Sequence, residues 1–113
     1  MDQFTKIPSI EPAAAAERAD GGRAVVVDVR EQDEWNAGHI PGAIHIPLGQ
    51  LADRTGELPT DRPIIAACRS GARSAKATAL LNDRGLDTTN LEGGTKAWHS
   101  AGLPLDPDDG HVA

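Results

Sequence analysis

The sequence predicts an α/β domain built on a parallel sheet with helices on both faces. Two apolar runs, Val25-Val26-Val27 and Ile64-Ile65-Ala66-Ala67, are continuous, as in strands covered from both sides, and lack the alternation of a strand with one wet face. Segments with helical patterning separate the strands at the spacing of βαβ units. Gly21-Gly22, Gly38, Pro41-Gly42 and Gly85 fall at the joints between these segments.

Taken in order, Ser9 is placed to cap a helix over Ile10–Ala19. Glu11 suits its N-terminal dipole, Pro12 is tolerated in the first turn, and Gly21-Gly22 stop it. A strand over Ala24–Val29 follows, then a short helix over Glu31–Ala37, a strand over Ala43–Ile46 and a helical turn or two over Leu48–Arg54. Pro63–Ala67 reads as the next buried strand, with proline at its first position where no ladder bond is required. Cys68 comes directly after it. A small polar stretch, Arg69–Ser74, leads into a helix running to about Arg84, with Ala75, Ala79, Leu80 and Leu81 on its apolar side and Gly85 as a left-handed stop. Asp87–Leu91 is the last strand and Thr95–Ala101 the last helix. The end, Pro104–Ala113, is expected to be loosely ordered.

At 113 residues and 11.8 kDa the chain has the size of a single domain over 1–113. Eleven basic against 17 acidic residues leave a net charge of −6, and one Phe, two Trp and no Tyr are available for stacking. A nucleic-acid partner would call for the opposite balance and a basic stripe, so none is expected. No apolar run approaches the ~20 residues of a membrane helix, and Met1–Ile10 lacks the form of a secretory signal, which makes the cytoplasm the expected location. The composition leaves monomer and dimer open.

A single cysteine excludes an intramolecular disulfide and a multi-cysteine zinc site. His45, His99 and His111 have no ligand-like spacing with one another or with Cys68, so no metal is assigned. Cys68 is therefore either an inert small hydrophobe at a strand end or a reactive thiol. Its neighbours favour the second reading. In open parallel sheets reactive groups gather at the carboxyl ends of strands. The residues after Cys68, namely Arg69, Ser70, Gly71, Ala72, Arg73 and Ser74, are small or basic and run straight into a helix. Several main-chain N–H groups, the helix dipole and two guanidinium groups can then favour the thiolate.

Three stretches share a pattern with a known family: Asp28-Val29-Arg30-Glu31 through Glu34-Trp35 to Gly38-His39-Ile40-Pro41-Gly42-Ala43; the loop Cys68–Ser74; and Asn90-Leu91-Glu92-Gly93-Gly94 with Ala97-Trp98. In order and spacing the chain resembles single-domain rhodaneses. The resemblance implies a five-stranded parallel sheet flanked by helices, Cys68 as nucleophile at the base of a cradle-shaped loop, and Arg69 to Ser74 as substrate-binding residues. It also implies sulfane-sulfur transfer by a ping-pong route through a Cys68 persulfide, from thiosulfate to an acceptor such as cyanide, a thiol or thioredoxin, without a cofactor.

The loop amides would stabilise the negatively charged terminal sulfur. Arg69 and Arg73 would attract the dianionic donor within a Debye length of ~8 Å despite the acidic whole. Such a basic loop favours a sulfonate-bearing donor over a carbonyl donor such as mercaptopyruvate. A related class of phosphatases also uses a cysteine loop ending in arginine, but with five intervening residues where this chain has four. The narrower ring suits one sulfur atom better than a phosphoryl group. Asp28 and Arg30 could contact the active loop or pair with each other and with neighbours, and of these a structural role in support of the site is expected. His39 is expected as a buried, hydrogen-bonded histidine, Gly93-Gly94 as a tight turn beside the loop with Trp98 packing under it, and Trp35 as a packing residue. The competing role for the same cysteine is a sulfur-relay module passing persulfide sulfur between protein partners.

Overall fold

The computed structural model describes residues 7–113. Met1–Lys6, part of the stretch read for a secretory signal, lie outside the described residues. Five strands, β1 (Ser9–Ile10), β2 (Val25–Asp28), β3 (Ile44–His45), β4 (Ile64–Ala67) and β5 (Thr88–Leu91), form one sheet in the order β1-β5-β4-β2-β3. Every pairing is parallel. The helices are α1 (Pro12–Ala19), α2 (Gln32–Ala37), α3 (Leu48–Leu51), α4 (Ala72–Asp83) and α5 (Gly94–Ser100). None of the described helices is long and apolar enough to cross a membrane.

The continuous apolar runs are explained by coverage on both faces. Successive residues of a strand point to opposite sides. Val27, Val29, Ile64, Ala66 and Cys68 pack with Leu51, Ala77 and Leu81 on the side of α3 and α4. Val26, Ile65 and Ala67 pack with Ala15, Leu91 and Trp98 on the side of α1 and α5. The central strands β2 and β4 meet in register, Val25 opposite Ile64 through Asp28 opposite Ala67, which places the ends of both strands at one edge.

Two expectations are corrected. Ser9 does not cap a helix: Ser9 and Ile10 pair with Asn90 and Leu91 as the edge strand, and Glu11, extended at φ −74° and ψ 154°, precedes a helix that begins at Pro12. A residue before proline is disfavoured in the helical region, so no helix can run through Glu11 into Pro12. Nor is the segment Pro104–Ala113 loosely held. Leu105 is 4% exposed, His39 and Asp106 exchange backbone hydrogen bonds at 3.1 and 2.7 Å, and the His111 N–H donates to the Ala37 carbonyl at 3.0 Å. One leucine and a row of satisfied amides hold a segment whose composition reads as a tail. Smaller shifts fall at element ends. The helical turns expected over Leu48–Arg54 end at Leu51, and a separate 3-10 turn that was not expected follows at Thr55–Glu57.

Candidate active site

Cys68 follows the last residue of β4 and is 1% exposed, so its Sγ lies at the floor of the site. Beyond it the chain turns through Gly71, whose φ of +110° suits a residue without Cβ, and enters α4 at Ala72. Ala72, Arg73 and Ser74, expected in the loop, thus form the first turn of the helix. The Gly71 N–H lies 3.1 Å from Sγ and the Ser74 hydroxyl 3.3 Å from it. Burial pushes the Cys68 thiol up, but hydrogen bonding from the Ser74 hydroxyl and from the amides of Ser74, Gly71 and Ser70 outweighs it. The net pKa is lowered from the ordinary thiol value. The 12-residue helix α4 starts at the same place and adds its dipole.

The other side of this turn is held by α5. The Thr95 and Lys96 N–H groups donate to the carbonyls of Cys68 and Arg69 at 2.8 and 3.0 Å. Gly94 makes this approach possible, since a Cβ there would overlap both carbonyl oxygens, and its φ is +65°. Trp98 sits deeper, 3% exposed among the residues between the sheet and α1 and α5, with Nε1 donating to the Pro104 carbonyl at 2.8 Å.

The two arginines of the loop differ in their surroundings. Arg73 donates to both oxygens of Glu34, at 2.7 and 2.8 Å, and the same Glu34 accepts the Glu31 N–H at the start of α2 at 2.9 Å. Arg73 therefore holds its charge firmly and has it largely balanced. Arg69 is exposed and donates through Nε to the Ala113 carbonyl at 3.0 Å. Asp28 and Arg30 are both buried and paired: Arg30 Nε and Nη2 donate to the carboxylate at 2.8 to 3.1 Å, and Nη2 also reaches the Gly38 carbonyl at 2.9 Å. They tie the end of β2 to the residue after α2.

His39 Nδ1 lies 3.1 Å from the Trp35 carbonyl, which only accepts, so that nitrogen carries the proton. Its ring stacks on Trp35 at 3.6 Å, and His45 stacks on Trp35 at 4.8 Å.

Sequence reading passed over Asn90 as a site residue. Its Nδ2 donates to the Gly71 carbonyl at 3.1 Å and its Oδ1 accepts from the Ser74 hydroxyl at 2.5 Å. The available signal was polarity out of place: an asparagine 8% exposed near the end of a covered strand needs buried partners.

The family model for the Rhodanese-like domain matches residues 11–101. The chain belongs to this family. Among relatives of this rhodanese-like chain, an HTH-type transcriptional regulator of Mycobacterium tuberculosis is 42% identical over 100 residues, covering 87% of this chain and 44% of that one. The chain thus spans less than half of that relative's length. The thiosulfate sulfurtransferase GlpE of Pseudomonas fluorescens is 38% identical over 101 residues, covering 88% of this chain and 89% of that one. The crystal structure of a rhodanese-related protein from Thermoplasma volcanium superposes with a TM-score of 0.82 at 34% identity, covering 87% of this chain and 96% of that one. The five-stranded parallel sheet with its helices is the fold that the resemblance implied.

Proposed function

We propose that this rhodanese-like protein is a sulfurtransferase that takes a sulfane sulfur from thiosulfate onto Cys68 and passes it to a thiophilic acceptor such as cyanide or a thiol. The observation that carries this reading is the position of Sγ, at a strand end and under the Gly71 amide at 3.1 Å, where donors converge on one anionic atom. The lone pair of the thiolate attacks the outer sulfur of thiosulfate. A new S–S bond forms, the bond to the sulfonate sulfur breaks, and sulfite leaves with that electron pair. The charge left on the outer sulfur of the persulfide is met by main-chain N–H groups that are already oriented. Arg69 is the exposed cation that draws the dianion in, whereas Arg73, neutralised by Glu34, fixes the first turn of α4. The acceptor attacks the outer sulfur and restores the thiolate.

Incubation with thiosulfate followed by intact-mass measurement tests this. The wild-type chain gains the mass of one sulfur atom, loses it to cyanide with release of thiocyanate, and Cys68→Ser gains none. A wild-type chain without uptake, or equal uptake by Cys68→Ser, would overturn the assignment.

A further inference from the structure

Ser74 Oγ has two neighbours that compete for one proton. Cys68 Sγ lies at 3.3 Å and Asn90 Oδ1 at 2.5 Å. The orientation of the Asn90 amide settles where the proton rests. The Gly71 carbonyl can only accept, and it receives the Ala75 N–H at 3.0 Å and Asn90 Nδ2 at 3.1 Å. Nδ2 must therefore face Gly71, Oδ1 must face Ser74, and because Oδ1 has no hydrogen, Ser74 must be the donor. In that arrangement Oγ offers the Cys68 thiol only lone pairs, which suit an S–H, and the hydrogen bond from Ser74 that favours the thiolate forms only when the O–H leaves Oδ1 for Sγ.

We propose that Asn90 is a positioning residue that withholds the Ser74 hydroxyl proton from Cys68 in the sulfur-free protein, so that the bare thiolate costs a hydrogen-bond exchange that the persulfide does not. The proposal rests on Cys68 as the sulfur-carrying nucleophile. When the thiol ionises, its proton leaves for solvent and the Ser74 O–H turns from Oδ1 to Sγ, breaking one hydrogen bond and making another. When sulfur arrives, the negative charge moves to the outer atom. The inner Sγ becomes a neutral two-coordinate sulfur, a weak acceptor, and the hydroxyl returns to Asn90. Asn90 thereby tilts the site away from the bare thiolate and toward the loaded form.

Neighbouring charges do not replace this exchange. Arg73 of α4 is paired with Glu34 of α2, and Arg30 with Asp28 at the end of β2. Arg69 lies beside Cys68 in the chain, and Glu92 after β5 and Lys96 on α5 also carry charge near this end of the sheet. None of these contacts includes the Ser74 hydroxyl.

The test titrates the Cys68 thiolate by its ultraviolet absorbance in the sulfur-free protein. Asn90→Leu, close in size and without polar atoms, is expected to lower the Cys68 pKa by about one unit, a roughly tenfold larger thiolate fraction at a pH below it. In a Ser74→Ala background the same change has no effect, because the contested hydroxyl is gone. A mere support role predicts the opposite sign, since a loosened Gly71 amide would raise the pKa. An unchanged or raised pKa in Asn90→Leu, or an equal lowering in the Ser74→Ala background, overturns the proposal. Should Asn90→Leu lack a cooperative unfolding transition, Asn90→Ala is read in the same way. The titration needs no sulfur donor. Its failure with wild-type sulfur uptake intact removes only the role of Asn90, and absent uptake with the titration as expected removes only the choice of reaction.

Discussion

Glu34 joins two helices through one carboxylate, accepting the Glu31 N–H at the start of α2 and both Nη groups of Arg73 at the start of α4. Hydrogen bonding from Arg73, opposed by burial and aided by the Glu31 amide and the charges of Arg73 and Arg30, lowers its pKa from 4.5 to about 2. A depressed carboxylate stabilises the fold fully above its unfolded value. That contribution is lost as pH falls from about 4.5 through about 2. The stability gap between wild type and Glu34→Gln should therefore shrink as pH is lowered across this window, measured by thermal unfolding at a series of pH values; a constant gap would contradict the assignment. Glu34 belonged to the sequence pattern, but its partner lies 39 positions away and only the fold names it. The place of Cys68, by contrast, was legible, because the strand before it and the hydrogen-bond donors after it are its immediate neighbours in the chain.

At the scale of elements, the end of β4 is gripped from two sides, by the amides at the start of α4 on the sulfur and by the first amides of α5 on the carbonyls of Cys68 and Arg69. Gly94→Ala puts a methyl group onto those carbonyls at a left-handed φ, and main chain cannot swing aside as a flexible side chain can. A loss of roughly 3 kcal/mol or more is expected in denaturant titration, with the proposed sulfur uptake at Cys68 impaired under conditions where the variant is still folded. The end of β2 depends on a buried ion pair. Asp28→Asn leaves the guanidinium of Arg30, 0% exposed, without its counter-charge, and should cost about 3–5 kcal/mol in the same measurement. A cost below about 1 kcal/mol would show that the pair is better solvated than its burial implies. The strands themselves were readable from apolar continuity, and β1 was the exception. Two residues are too few to carry a period, and Ser9 beside a helical run mimics a cap unless Pro12 is weighed first.

At the scale of the whole molecule, the segment after α5 closes one side of the core. Leu105 packs with Ile40 and Trp98, and the backbone pairing of His39 with Asp106 fastens the segment to the residues after α2. Leu105→Ala is expected to cost about 2–5 kcal/mol by denaturant unfolding, the range for a buried leucine, whereas an unpacked tail would lose less than about 0.5 kcal/mol. Five of the last ten residues are Pro or Asp and one is Gly before His111, a composition that resembles a tail. One apolar anchor outweighs it once a cleft exists to receive the side chain.

What the sequence by itself determined is local: the covered strands, the cysteine at a strand end, and the glycine and small residues that let amides turn toward it. These follow from forces acting within a few residues, the pleat period and the steric freedom of single backbone positions. Only the tertiary structure decided that Arg73 spends its charge on Glu34, that Asn90 claims the hydroxyl proton of Ser74, and that Leu105 is core. Those pairings join residues far apart in the chain, and which of them meet depends on the order in which the strands assemble side by side.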